Sequence, residues 1–236
     1  MNTYYSCLPH DEIQEVFPDV FFVTGTYCGD IGGASWQFSR NMTVVRDGQN
    51  LTLVNSVRLD EKGLTALENL GTIKNVVKIG SLHGVDDAFY KNHYDAKFWA
   101  MPGMQQALEV DVELTAEGEM PFPGASVFEF KTTNLPECIL RIDREGGIMI
   151  ACDSLQNWVS PNKFFSDESR AMMQEMGFFT KANIGPVWMQ FNEPEAADFV
   201  RLKKIPFRHA LTGHGEPLRD TAHEDYSTTF ARLFGI

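Results

Sequence analysis

Apolar runs of strand length, broken at short intervals by Gly, Pro and Asp, set the element order of this chain. DVFFVT at residues 19–24 predicts a strand, and MTVV at 42–45 and LTLVN at 51–55 flank Asp47-Gly48 as the arms of a β-hairpin. Asp60 can cap a helix whose apolar positions Leu64, Leu67 and Leu70 lie three apart and which Gly71 ends. NVVKIG at 75–80 follows as a strand, so residues 53–80 have the strand, helix, strand order of a parallel crossover. Short strands are expected next near Lys97 and Val110 and over 126–131, 137–143 and 147–152, punctuated by Pro102-Gly103, Pro123-Gly124 and Gly146-Gly147. A short helix over 167–176, a helix begun by Pro194, a strand over 207–212 and a last helix over 222–234 complete the order. A β-rich half followed by an αβα half predicts helices covering the outer faces of sheets. The glycine-rich stretch GTYCGDIGG at 25–33 is not GxGxxG and is expected to be a flexible loop near a site.

Composition narrows the class. The 236 residues suit one large domain, 1–236, with an inserted segment around 158–191 rich in Phe, Met and Asn. No apolar run approaches the ~20 residues of a membrane span, and the start MNTYYSCLPHDEIQEV has neither the basic opening nor the apolar core of a leader. Four scattered cysteines without CxxC spacing suggest reduced thiols, hence a cytoplasmic location. A formal net charge of −12 with no basic run argues against nucleic acid, so the expected partner is a small-molecule substrate, with no membrane. The cluster Phe164, Phe165, Met172, Met173, Met176, Phe178, Phe179 and Trp188 is expected to pack as core, a roof over an apolar pocket and a homodimer contact being the alternatives.

Candidate chemistry sits just after three apolar runs: HGVDDA at 83–88, ACDS at 151–154 and TGHG at 212–215. Loops at strand ends are held by the sheet yet open to solvent, and imidazole nitrogen with carboxylate oxygen is the donor mixture a divalent metal takes. His214 has the strongest claim, because Gly213 and Gly215 permit a tight backbone that aims one side chain inward. For His83 the alternative is a hydrogen-bonded strand-end histidine, and for Asp153 a loop cap. Cys152 is expected to be a buried small hydrophobe, or else an extra soft ligand.

The hairpin, LVNS, the helix, VVKIGSLHGVDDAFY, CILRIDREGGIMIACDS and HALTGHGEP, taken in order, resemble the metallo-β-lactamase-fold hydrolase superfamily from about residue 20 to the end. The resemblance implies an α+β fold, a four-layer αββα sandwich with one or two metal ions at one edge between the sheets. The family signature is His-x-His-x-Asp-His after a strand, then a single His, a bridging Asp and a late His. His83 takes the first histidine and Asp87 the aspartate, while Val85 and Ala88 stand where the other two histidines belong. Asn134 takes the place of the single histidine, Asp153 that of the bridging carboxylate and His214 that of the late histidine. Asn55 replaces an aspartate whose role is mostly to hold loops.

The ligand set so implied is His83, Asp87, Asp153 and His214, with one divalent ion near the last three. Zinc is the first choice, manganese or iron also tolerating the mixture. Asp87 is the expected catalytic carboxylate, orienting or deprotonating water. Asp86, His93 and Asn134 are expected at the pocket, the first two as replacement ligands. The activity implied is hydrolysis of a small ester, lactone, thioester or related acyl substrate at a reduced, mononuclear site. The alternative is a member that keeps the sandwich without metal or catalysis and serves in binding or assembly.

Overall fold

The computed structural model describes residues 4–236, so residues 1–3 of the expected domain and of its start lie outside the described residues. Seven strands form one sheet in chain order: β1 (Gln14–Phe17), β2 (Val20–Ile31), β3 (Ala34–Asp47), β4 (Asn50–Val54), β5 (Thr72–Lys78), β6 (Lys97–Ala100) and β7 (Val112–Glu113). β8 (Ala125–Glu129), β9 (Cys138–Ile142), β10 (Ile148–Ala151) and β11 (His209–Thr212) form a second sheet in the spatial order β11-β10-β9-β8.

Alternation along the strands shows how the layers stack. Cys138, Leu140 and Ile142 of β9 and Ile148 and Ile150 of β10 point into a core shared with the first sheet. Their neighbours Ile139, Met149 and Ala151 face the other way, into a second core with Trp188, Phe199, Tyr226 and Phe230. Those four belong to helices α4 (Pro186–Asn192), α5 (Ala196–Leu202) and α6 (Ala222–Phe234), after α3 (Asp167–Glu175). On the other side α1 (Glu61–Leu70) and α2 (Asp87–Tyr94) are crossovers between parallel pairs, β4 with β5 and β5 with β6. The result is the expected α, β, β, α order of layers.

Local chemistry explains the elements that were foreseen. Asp60 caps α1 by accepting from the Gly63 amide at 2.7 Å, and Ser166 caps α3 in the same way. Asp47-Gly48 turns β3 into β4, with Gly48 at φ 59°.

Two expectations need correction, and one strand was not expected. The glycine-rich 25–33 stretch is not a loop: β2 and β3 pair without interruption from Val20 opposite Val45 to Ile31 opposite Ala34, closing on Gly32-Gly33 at φ 64° and 82°. Its glycines serve packing as well as turning, since a Cβ on Gly25 would lie 2.5 Å from Val57 Cγ1. Pro194 does not open a helix; Pro186 opens α4, and α5 starts at Ala196. β1 is an additional edge strand that antiparallel pairing with β2 stabilises.

The loops that carry the predicted residues leave adjacent strand ends. β10 and β11 are parallel neighbours, so Asp153 and His214 follow matched positions Ala151 and Thr212. The first sheet delivers the loop after β5, joined to the second sheet where the Cys138 amide donates to the Ile79 carbonyl at 2.9 Å.

Candidate metal centre

His83, Asp153 and His214 converge between the sheets, each offering a ligand atom within 4.8 Å of the others. His83 Nε2 lies 3.0 Å from His214 Nε2, His83 Nε2 is 3.4 Å from Asp153 Oδ2, and His214 Nε2 is 3.1 Å from Asp153 Oδ1. The other ring nitrogen of His214 faces the Ser39 carbonyl at 3.1 Å. A carbonyl can only accept, so Nδ1 carries a proton and Nε2 is the nitrogen that faces the cluster. Trp158 stacks on the same imidazole with centroids 4.5 Å apart, and its indole N–H donates to the Ser39 hydroxyl at 3.0 Å.

Burial lowers the pKa of His83 despite the raising effect of Asp153, so its ring is neutral and able to ligate at neutral pH. Burial alone would raise Asp153, but the two imidazoles outweigh it and hold the carboxyl well below the usual range. Two imidazole nitrogens and one carboxylate meeting at one point form a donor set that fits a divalent cation such as zinc.

The loop carrying His214 is clamped from β3, where the Asn41 side chain donates to the carbonyls of Thr212 (2.9 Å) and Gly215 (2.7 Å). Gly215 is required: its φ is 90°, and a Cβ there would lie 2.1 Å from the Asn157 carbonyl oxygen. Asn55, at φ 56°, donates to the Ala151 carbonyl at 3.1 Å and ties β4 to the end of β10.

The other predicted residues stand elsewhere. Asp87 opens α2 and is buried, its carboxylate accepting from the Ser56 hydroxyl at 2.6 Å, with the Lys78 ammonium and Asp86 nearby. Burial raises its pKa, while Ser56 and Lys78 act in the opposite sense. It is not part of the three-residue cluster: its carboxylate lies between Ser56 and Lys78, with Oδ2 against Gly84. Asp86 pairs with Arg40 and accepts from the Arg58 amide at 2.7 Å, both through Oδ2, and lies outside the three-residue cluster. His93 is exposed on α2 and stacks on Phe89 at 5.0 Å. Asn134 is exposed and fastens its loop to α4 by donating to the Phe191 carbonyl at 3.1 Å. Val85, where the family has a histidine, lines a cavity above the cluster.

Several residues of the site were missed. Glu137, buried at the start of β9, accepts from the Ser154 amide at 2.7 Å, and burial together with the Asp153 charge pushes it up to about 8. Glu137, Cys152 and Asp153 form a second group of ligand atoms within 4.8 Å, but burial drives the Cys152 thiol well above its ordinary pKa, away from a ligating thiolate. Asn41, Ser39 and Arg40 lie mid-strand in β3, where no turn or motif marks them. The aromatic and methionine cluster both packs and roofs: Phe165, Met173 and Phe178 form a small core with Trp158, and Met173, Phe178 and Trp188 also line the cavity.

No protein-family model matches the chain, and no curated protein does. Solved structures do match. DIM-1 metallo-β-lactamase exposed to ceftazidime superposes with a TM-score of 0.61 at 14% identity, covering 96% of this chain and 99% of that one. A metallo-β-lactamase from Erythrobacter litoralis gives 0.57 at 13%, covering 94% and 92%. FIM-1 from Pseudomonas aeruginosa in a mono-zinc form gives 0.60 at 11%, covering 96% of each chain. The chain therefore has the metallo-β-lactamase fold. No helix among the described residues is long and apolar enough to cross a membrane.

Proposed function

We propose that this protein is a metal-dependent hydrolase of an acyl substrate, with one divalent ion, zinc before manganese or iron, held by His83, Asp153 and His214. The observation that carries the reading is the convergence of three ligand atoms within 4.8 Å, with the His214 tautomer set by the Ser39 carbonyl. When bound, such an ion supplies the Lewis acidity that polarises an acyl carbonyl and makes water nucleophilic near pH 7. Asp153 and the two imidazoles would hold and orient it, Trp158 fixes the plane of His214, and the aromatic walls above exclude bulk water. Asp87 acts as a positioning residue, keeping Ser56 and Lys78 together beneath the His83 loop.

Val85 and Ala88 in place of two histidines favour a second reading, a binding protein of the same fold without turnover. Metal analysis of protein purified without added ions, followed by an ester and lactone panel, separates the two. Near-stoichiometric metal with hydrolysis, both abolished by His214→Ala, supports the hydrolase. Metal-free protein at micromolar zinc or manganese, or loaded protein inert on the whole panel, supports the binding protein.

A further inference from the structure

The cavity over the cluster has a volume of about 360 Å3, in the range that encloses a small organic ligand. Tyr27, Trp36 and Phe38 of the β2–β3 hairpin line it with Trp158, Met173 and Phe178, Phe38 meeting the Trp158 ring edge-on at 5.9 Å. Its mouth is apolar too: Ile31, Leu82, Val85 and Phe191 line it while 46%, 49%, 36% and 57% exposed. Apart from the ligand cluster, charge enters the lining only through Arg40. That guanidinium is committed, since Nε donates to the Thr26 carbonyl (3.2 Å), one terminal nitrogen to the Ser56 carbonyl (3.4 Å) and the other pairs with Asp86. A carboxylate or phosphate on the far end of a ligand would lose its water here and meet only a guanidinium already paired with Asp86. The net charge of −12 adds a general repulsion of anions.

We propose that the cavity takes uncharged acyl compounds carrying an extended apolar chain or aryl group, and that the substrates of this site are the corresponding neutral esters or lactones. The substrate half of the proposal rests on the hydrolase reading; the ligand half does not. The carbonyl end lies at His83, Asp153 and His214, and the chain runs along the aromatic walls and out over the four rim residues. In the reaction water adds its oxygen to the acyl carbon and the acyl C–O bond breaks. One proton of the water leaves with the alcohol, and the other dissociates from the acid product. Val85 gains a role in this arrangement, as an apolar wall where an imidazole would have supplied a polar donor.

Two measurements test it. Protein reconstituted with zinc is assayed on p-nitrophenyl acetate, butyrate and octanoate, and on the mono-p-nitrophenyl ester of suberate, which has the octanoate length but ends in a carboxylate. We expect kcat/KM to rise about threefold per added methylene, and the suberate ester to fall at least about thirtyfold below octanoate. Phe191→Ser and Trp36→Ala should each lower the octanoate to acetate ratio about tenfold. Separately, quenching of tryptophan fluorescence is titrated with octanamide, acetamide and the anion suberamate, with and without zinc. Octanamide is expected to bind at least about tenfold more tightly than either. Octanamide selectivity without hydrolysis of any ester would support the ligand class and sink the hydrolase reading. Hydrolysis indifferent to chain length and terminal charge would support the hydrolase and overturn the present proposal.

Discussion

His214 is held from three sides, by the Ser39 carbonyl, the Trp158 ring and the Asn41 clamp on its loop, so its geometry is set before any ion arrives. Removing a ligand should therefore cost far more affinity than removing a neighbour. His83→Ala, Asp153→Ala and His214→Ala are each expected to weaken zinc binding at least about a hundredfold, whereas Trp158→Phe should weaken it about tenfold or less. Competition with a chromophoric chelator measures both. Asp87→Asn provides the contrast: with its carboxylate turned to Ser56 and Lys78, zinc affinity should change only a few-fold, and a loss comparable to that of Asp153→Ala would return Asp87 to the ligand set. Gly215→Ala should destabilise the fold by at least about 2 kcal/mol, because the Cβ has no room at φ 90°, a change that urea denaturation reads directly. These residues were unequally legible. Asp153 and His214 stand one or two positions beyond apolar runs, which is where strand-end ligands belong. Ser39 and Asn41 act through a carbonyl and an amide inside a long strand, and nothing in a one-dimensional pattern distinguishes them from other polar strand residues.

Elements were legible where their periodicity was clean and their ends were capped. α1 and α6, the β3–β4 hairpin and the parallel β4-α1-β5 crossover follow from residue spacing, caps and turn chemistry. The outer half of the β2–β3 hairpin did not, because Gly25 and Gly29 lower strand propensity and only the pairing ladder restores it, and β1 is a four-residue edge strand, too short for a clear alternation. α4 was hidden likewise, being a single short helix whose burial of Trp188 outweighs a weak amphipathic pattern. α5 carries a test of its own. Asp198 is 1% exposed and accepts from the Lys131 and Thr132 amides, the Thr132 hydroxyl and Arg201, fastening the helix to the loop after β8. Burial would raise its pKa, but those donors outweigh it and hold it below the ordinary value. A carboxyl lowered in the folded state stabilises the protein above its unfolded pKa of about 4 and loses that contribution as pH falls through the lower folded value. Asp198→Asn should therefore destabilise the protein by about 1–3 kcal/mol at pH 7 and flatten the loss of stability below pH 4, as followed by thermal melts across pH.

At the scale of the molecule the cluster joins both sheets, His83 coming from the seven-stranded one and Asp153 and His214 from the four-stranded one. An ion bound there ties the two halves of the sandwich together, so stability should track metal concentration. At a hundredfold excess of free zinc over its dissociation constant the folded state gains about 2.7 kcal/mol, and a chelator should remove that gain as a fall in Tm. The β2–β3 hairpin has a different relation to the whole. Its inner half belongs to the shared core, whereas at its tip a Cβ on Gly32 or Gly33 would touch nothing within 4 Å. On the proposed ligand class, cargo preference and chemistry thus reside in separable parts: the tip around Gly32-Gly33 can be lengthened, shortened or given charge with little effect on the ligand cluster, whereas Gln37, whose amide donates to the Ser169 hydroxyl at 2.8 Å, anchors α3. If the cavity takes the apolar compounds proposed above, charge introduced at that tip is the economical change by which an ancestor or an engineer would turn the scaffold towards ionic ones.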